Sequence, residues 1–232
     1  MLDTSALYKN IISGTDFWYE SKLVVDGVGT FDESQLVSIS THHDLFGTTP
    51  TVGTAIAGEI NVEMLYPAVD LPTMACMRPF VRACDRTRQS EWLPQGVFFI
   101  DTRSRDKDDT GLSKLIIHGY DAMLKAEQLY NGRITGDSTD IQMVNEIAYQ
   151  MGTTVDPRTT AMMTAAYRIP LPVGFTYRET LGYIASMYAG CFIISEEGKL
   201  RLIALYELPP QTHYLIDNIG NPITFGGIRI LV

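Results

Sequence analysis

The stretch SKLIIHGYDAMLKAEQLY, residues 113–130, decides the fold, because the hydrophobic period changes inside it. Leu115-Ile116-Ile117 is a short apolar run bounded by polar residues and Gly119, as in a strand. After Tyr120 the spacing moves from two toward 3.6, the period of a helix. Everything upstream of this point reads as β structure, and the next seventy residues read as helical.

Working back from residue 113, Val, Ile, Phe, Tyr and Thr stand in short runs separated by Gly, Asp and Pro. Strands are expected at 16–25, with Asp26-Gly27 as a turn, and at 35–41, 56–66, 73–83, 96–102 and 113–119. In 56–66, Ile60, Val62, Met64 and Tyr66 alternate with Asn61, Glu63 and Leu65, so one face is expected to be buried. Residues 103–111 are read as the loop of a hairpin. Six or more short strands with little helix point to a barrel or sandwich, since a flat open sheet would leave edges to aggregate.

Working forward, three helices are expected with their caps. The first spans 122–130, with Asp121 as N-cap and Gly132 just past the end. The second carries Thr139 and Gln142 in capping-box spacing, a stripe of Ile141, Val144, Ala148 and Met151, and Gly152 as its stop. The third repeats that arrangement with Thr176 and Glu179, a stripe of Leu181, Ile184, Ala185 and Tyr188, and Gly190. Beyond Gly190 the β pattern returns at 191–195 and 200–206 around a tight Glu197-Gly198-Lys199 loop. Further strand material is expected at 212–216, 223–225 and 228–232, and this last apolar run hints at a chain cut short.

Composition narrows the function. The chain has 232 residues, 45% hydrophobic and 19% charged, a globular balance that needs no staple. No apolar run approaches the ~20 residues that span a bilayer, and residues 1–5 carry no secretory signal, so assembly in the cytosol without a membrane anchor is expected. Cys76, Cys84 and Cys191 cannot all pair and read as reduced, buried side chains. A formal charge of −9 argues against phosphate recognition. Arg78, Arg82, Arg86 and Arg88 could share one strand face, but Asp85 interrupts them and a solvated face or subunit contact is the better reading.

Catalytic and metal patterns fail on geometry. His42 and His43 precede Asp44, yet neighbours in a strand point to opposite faces and cannot share a metal. His118 and His213 lie in other strand-like runs with no carboxylate at ligand spacing. Residues 106–111 resemble a calcium loop but lack its terminal glutamate and contain Lys107. Gly27-Val28-Gly29 precedes no helix, and no nucleophile elbow, zinc-protease helix or phosphate loop occurs. The expectation is no catalytic residue, no cofactor and no metal. Large aromatics remain: Trp18 and Trp92, with Phe17, Tyr19 and Phe98, suggest a platform, and Trp92, Trp18 and Phe98 are the expected interface residues.

A family resemblance rests on Phe175-Thr176-Tyr177-Arg178-Glu179-Thr180-Leu181-Gly182-Tyr183-Ile184-Ala185, then Ala189-Gly190 and Gly198-Lys199-Leu200-Arg201-Leu202. It resembles the phage-tail hub proteins: baseplate hubs of contractile phages, the late control protein D type, and the N-terminal region of tail-associated proteins of long-tailed phages. Residues 92–98 with Asp101, and residues 118–121, are similar to the first-barrel strand of that group and its exit into the helices. The resemblance covers about 80–205. It implies an α+β chain with a first β-barrel tube domain over 1–120, a helical α/β connector over 121–190 and the start of a second barrel at 191–232. It further implies a homotrimeric, non-enzymatic ring in the virion tail, with other tail proteins as partners and DNA passing through the lumen without specific binding. The rival readings are a cell-wall hydrolase module using paired carboxylates and a carbohydrate-binding adhesin.

Overall fold

A computed structural model describes residues 4–46, 49, 51–67, 70–107, 113–205, 224–225 and 228–229. The chain is an α+β protein built around two hydrophobic clusters. A short helix α1 (Ala6–Ile12), unforeseen in the sequence, is capped by Ser5, whose Oγ accepts the Tyr8 N–H. The strands follow as β1 (Trp18–Val25), β2 (Gly29–Asp32), β3 (Leu36–His42), β4 (Thr54–Ala55), β5 (Glu59–Leu65), β6 (Cys76–Cys84), β7 (Leu93–Pro94), β8 (Phe98–Lys107) and β9 (Ser113–Asp121).

All of these but β4 form one sheet, in the order β2-β1-β6-β8-β9-β5-β3, with β7 paired to β6. Every pairing in it is antiparallel. The alternation read in 56–66 is real: Ile60, Val62 and Met64 are buried, whereas Tyr66 lies beyond β5 and is exposed. They meet Leu23, Val25, Phe31, Met77, Phe98, Ile100, Leu115 and Ile117 in one core, so the sheet curls around side chains from six strands. Its two end strands, β2 and β3, are joined by the turn at 33–35 but share no ladder among the described residues. The hairpin arm is longer than its loop-like composition suggests. Residues 103–107 continue β8 in register with β9, both faces exposed.

The second cluster holds the helices. Asp121 starts the expected helix, accepting the Met123 N–H, but residues Ala122–Glu127 form a 3-10 turn that stops at Gln128, well before Gly132. The chain then runs extended so that Leu129 bridges Thr176. A two-residue ladder, β10 (Ser138–Thr139) with β11 (Arg168–Ile169), brackets α2 (Asp140–Met151) and α3 (Pro157–Met162). Both capping boxes are present, Thr139 with Gln142 on α2 and Thr176 with Glu179 on α4 (Tyr177–Met187), and Gly152 ends α2 in the left-handed conformation. The short α3 escaped the periodicity reading, although Asp156 caps it and Pro157 stands in its first turn.

The third helix does not end as expected. It stops at Met187, the left-handed residue is Ala189, with φ of 43°, and Gly190 opens β12 (Gly190–Ile194). Gly190 is required by space, because a Cβ there would lie 2.6 Å from the Ile203 carbonyl oxygen. β12 pairs antiparallel with β13 (Leu200–Ala204) and parallel with β4. The hairpin therefore packs with the helices: Phe192, Ile194, Leu200 and Leu202 are buried beside Val144, Ile147, Leu181 and Ile184. Burying a side chain of this size contributes about 1.5–3 kcal/mol each. A separate pair, β14 (Thr224–Phe225) with β15 (Ile228–Arg229), completes the described strands. The expected strand at 212–216 lies outside the described residues.

Candidate interaction surface

β6 and β1 place the expected interface residues. Their register sets Glu20 opposite Arg82 and Lys22 opposite Phe80, and β7 lies over β6 with Leu93 opposite Val81. This brings Trp92 over the β1–β6 pair, where its ring is covered by two cations, Lys22 Nζ at 4.3 Å and Arg82 Cζ at 4.4 Å from the ring centre. Arg82 is held in turn by Glu20, which accepts from Nε at 2.9 Å and from NH2 at 2.6 Å. That bond holds the Glu20 carboxyl below its ordinary range. Trp92 is half-buried and forms the wall between two clefts. One, of about 500 Å³, opens toward α3 and the β12–β13 turn through Glu91, Arg158, Glu196 and Lys199. The other, of about 380 Å³, runs past Thr30, Asp32 and Glu33.

Trp18 is 44% exposed at the start of β1, opposite Cys84, and Tyr19 beside it packs edge-on against Phe17 with ring centres 5.5 Å apart. Phe98 corrects the expectation. Its side chain is 0% exposed in the sheet core, because β8 turns it inward between Met77 and Asp121 in the two ladders, and it presents nothing to a partner.

The arginines do not form a phosphate site. Arg78 pairs with Asp26, Arg82 with Glu20, Arg86 with Asp16 and Arg88 with Asp85. Only Arg78 and Arg82 lie on β6; after Cys84 the chain turns on Asp85, whose carboxylate accepts the Thr87 and Arg88 N–H groups and is lowered to about 2. Among the described residues no group of three His, Cys, Asp or Glu side chains could hold a metal. His43 turns toward Gln95, its Nε2 lying 3.3 Å from that carbonyl oxygen, and its ring packs on Phe98. His118 has a carboxylate neighbour that spacing along the chain could not reveal: Glu59 across the β5–β9 ladder, at 3.6 Å. His213 and most of the calcium-like loop lie outside the described residues.

A second apolar patch went unread. Phe175 and Tyr183 stack edge-on at 5.5 Å, Tyr183 is 61% and Val173 76% exposed, and Leu129 lies on the adjoining bridge. The signal was present in Tyr183, which falls off the buried stripe of α4 and still is aromatic. Behind it, Gly182 meets the Gly53 backbone so closely that a Cβ would lie 2.7 Å from the Gly53 carbonyl oxygen. Arg178 on the same helix reaches back to the carbonyls of Ala55 and Met123 and to Glu127, tying α4 to the sheet-side chain.

The chain superposes on the 43 kDa tail protein of prophage MuSo2 from Shewanella oneidensis with a TM-score of 0.51 at 14% identity, covering 79% of this chain and 54% of that one. It superposes on the tail protein from Neisseria meningitidis MC58 with a TM-score of 0.53 at 14% identity, covering 88% and 53%. The chain shares their fold. It spans about half the length of each. No family model matches it, and no curated protein matches it.

Proposed function

We propose that this chain is a structural protein of a phage or prophage tail, forming a hub or baseplate ring that continues the tail tube. The observation that carries this reading is the shared fold with two tail proteins over 79% and 88% of the chain. The local grammar of residues 175–202 adds to it, since the capped helix α4, the glycine and the β12–β13 hairpin occur where the hub resemblance expects them.

In this reading residues 1–120 are the first tube domain, residues 121–190 the connector, and residue 191 starts a second tube domain whose opening hairpin shares the connector's core. Three copies would present six tube domains and so meet a six-fold tube. The role is non-enzymatic, the protein is assembled in the host cytoplasm and resides in the virion tail, its partners are neighbouring tail proteins, and DNA passes through the lumen without specific binding, as a net charge of −9 would favour. Electron microscopy of assembled tail tips tests the reading. Three copies around the axis are expected; six copies, or absence from the tip, would overturn it. Purified protein is also expected to release nothing from peptidoglycan.

A further inference from the structure

Arg103 and Arg105, two residues apart on β8, are held less firmly than most arginines of this chain. Among the described residues, eight others are each bound by a carboxylate at 2.6–2.9 Å. Arg103 reaches its carboxylate only from Nη1 to Asp70 Oδ1 at 3.4 Å, and the Asp70 side chain is 94% exposed. A contact so long and so wet contributes little. Arg105 donates from Nη2 to the Ser113 hydroxyl at 3.2 Å and lays its guanidinium 4.3 Å from the centre of the Tyr66 ring, with no carboxylate partner among the described residues.

Strand alternation puts both on one side. The ladder sets Arg103 opposite Ile117 and Arg105 opposite Leu115, both buried, so the two side chains continue the core-facing side of β8 beyond Ile100. Asp106 stands opposite Lys114, which is bonded to Glu63, and so lies on the other face. The guanidinia border a cleft of about 240 Å³ with Tyr66, Pro67, Leu71 and Leu115, and Asp70 is the one acid among its described lining residues. Each guanidinium carries five N–H donors in a fixed fork, and each makes a single hydrogen bond here. The ring stack and the Ser113 bond fix Arg105 in place while its other donors stay open, which is what a receptor for a planar oxyanion requires.

We propose that this cleft binds an acidic side chain, flanked by an aliphatic residue, on a segment of a different protein. Arg105 takes the carboxylate in its fork with Arg103 beside it, Asp70 gives way to water, and the aliphatic neighbour rests against Tyr66, Pro67 and Leu115. Size and charge select this ligand. At about 240 Å³ the cleft lies below the ~300–1,000 Å³ of small-molecule pockets, so it holds one anchoring side chain and not a nucleotide. A polyanion would meet the field of a chain of net charge −9, whereas a single carboxylate feels mainly the two guanidinia beside it, charges beyond about 10 Å being screened by salt. The site goes beyond the tail reading and does not rest on it: a wrong copy number in tail tips would leave the cleft and its ligand untouched.

Two end-blocked peptides, one of alternating leucine and glutamate and one of alternating leucine and glutamine, are titrated into the 232-residue chain while its arginine Nε–H signals are followed by NMR. The glutamate peptide is expected to shift the Arg103 and Arg105 signals and to bind about ten times more tightly than the glutamine peptide, the size of one charge-assisted hydrogen bond. Arg103→Gln and Arg105→Gln should each weaken it about ten-fold, and Arg105→Lys nearly as much, because the fork is lost. Arg168→Gln, on the β10–β11 ladder, should leave it unchanged. Asp70→Asn removes the competing acid and is expected to tighten binding about three-fold, a change that a purely structural Asp70 would not produce. Equal binding of the two peptides, an unmoved affinity in Asp70→Asn, or no shift of the two arginine signals at millimolar peptide would overturn the site. A thymidine oligonucleotide that displaces the glutamate peptide at lower concentration than the peptide itself binds would overturn the choice of ligand in favour of phosphate.

Discussion

Asp121 and Gly58 are bonded across 63 positions of sequence, the buried carboxylate accepting the Gly58 N–H at 2.6 Å while its other oxygen accepts the Met123 N–H at 2.8 Å. One side chain thus ends β9, starts the 3-10 turn and holds the chain just before β5. Replacing Asp121 with Ala orphans two buried N–H groups, at about 1–3 kcal/mol each. A loss of about 2–4 kcal/mol in urea unfolding is expected, with no change of fold.

The same residue sets a pH dependence. Burial pushes the Asp121 carboxyl up to about 7 from 3.8, against the pull of its two N–H donors and of Arg178. Folding therefore favours the protonated form, so this contribution to stability is complete below about pH 4 and is lost as pH rises through 7. The Asp121→Asn variant is expected to be flatter than the wild type between pH 4 and 7. An identical slope in both proteins would show that the carboxyl titrates normally.

Glu146 behaves in the opposite sense. Arg133 donates to it from Nε and NH2 at 3.0 and 2.8 Å and also from its backbone N–H, which lowers the carboxyl to about 2. Its contribution is present above about pH 4.5 and disappears as the pH falls toward 2. Glu146→Gln is expected to cost about 1–3 kcal/mol at pH 7 and to narrow its difference from the wild type near pH 2, as thermal melts across pH would reveal.

Leu181 tests the helical core. It is fully buried on α4 among Val144, Ile184 and Phe192. Leu181→Ala should cost about 2–5 kcal/mol, and Leu181→Asp, which buries an unpaired charge, should unfold the helical part outright. Unchanged melting of the Asp variant would mean that this face of α4 is wet.

The turn into β12 offers a paired test. Gly190→Ala drives a Cβ against the Ile203 carbonyl oxygen and is expected to destabilise, whereas Ala189→Gly relieves a left-handed residue and is expected to be neutral or stabilising by up to about 1 kcal/mol. The reverse order of melting temperatures would contradict the assignment of the two positions.

Local signals carried much of this structure in advance. Thr139 with Gln142, Thr176 with Glu179 and Gly152 state their own caps within four residues, and Ile60, Val62 and Met64 state their face. What stayed hidden depends on distant partners. Gly190 looked like a helix stop because its real neighbour, Ile203, is thirteen residues away across a hairpin. Phe98 looked like a platform aromatic because composition does not tell which way a strand turns its rings. His118 found Glu59 only through sheet pairing. The short helices α1 and α3 are too brief for a period to emerge, and only their caps, Ser5 and Asp156, betray them. Trp92 lies outside the strands, and the two cations over its ring come from β1 and β6, which its place in the sequence does not reveal.

The parallel pairing of β4 with β12 has a consequence for how the chain is made. Residues 54–55 lie inside the run that builds the large sheet, yet their ladder partners, Cys191 and Phe192, leave the ribosome after 135 further residues have been added. The large sheet needs nothing beyond Asp121 to complete its ladders, so it can close while synthesis continues. The helical part cannot, because its third strand was delivered first and must wait. During that interval the Gly53 segment stands without α4, and the nascent chain exposes the apolar surface that Phe192 and Leu181 later cover, which makes this the window in which a chaperone would act.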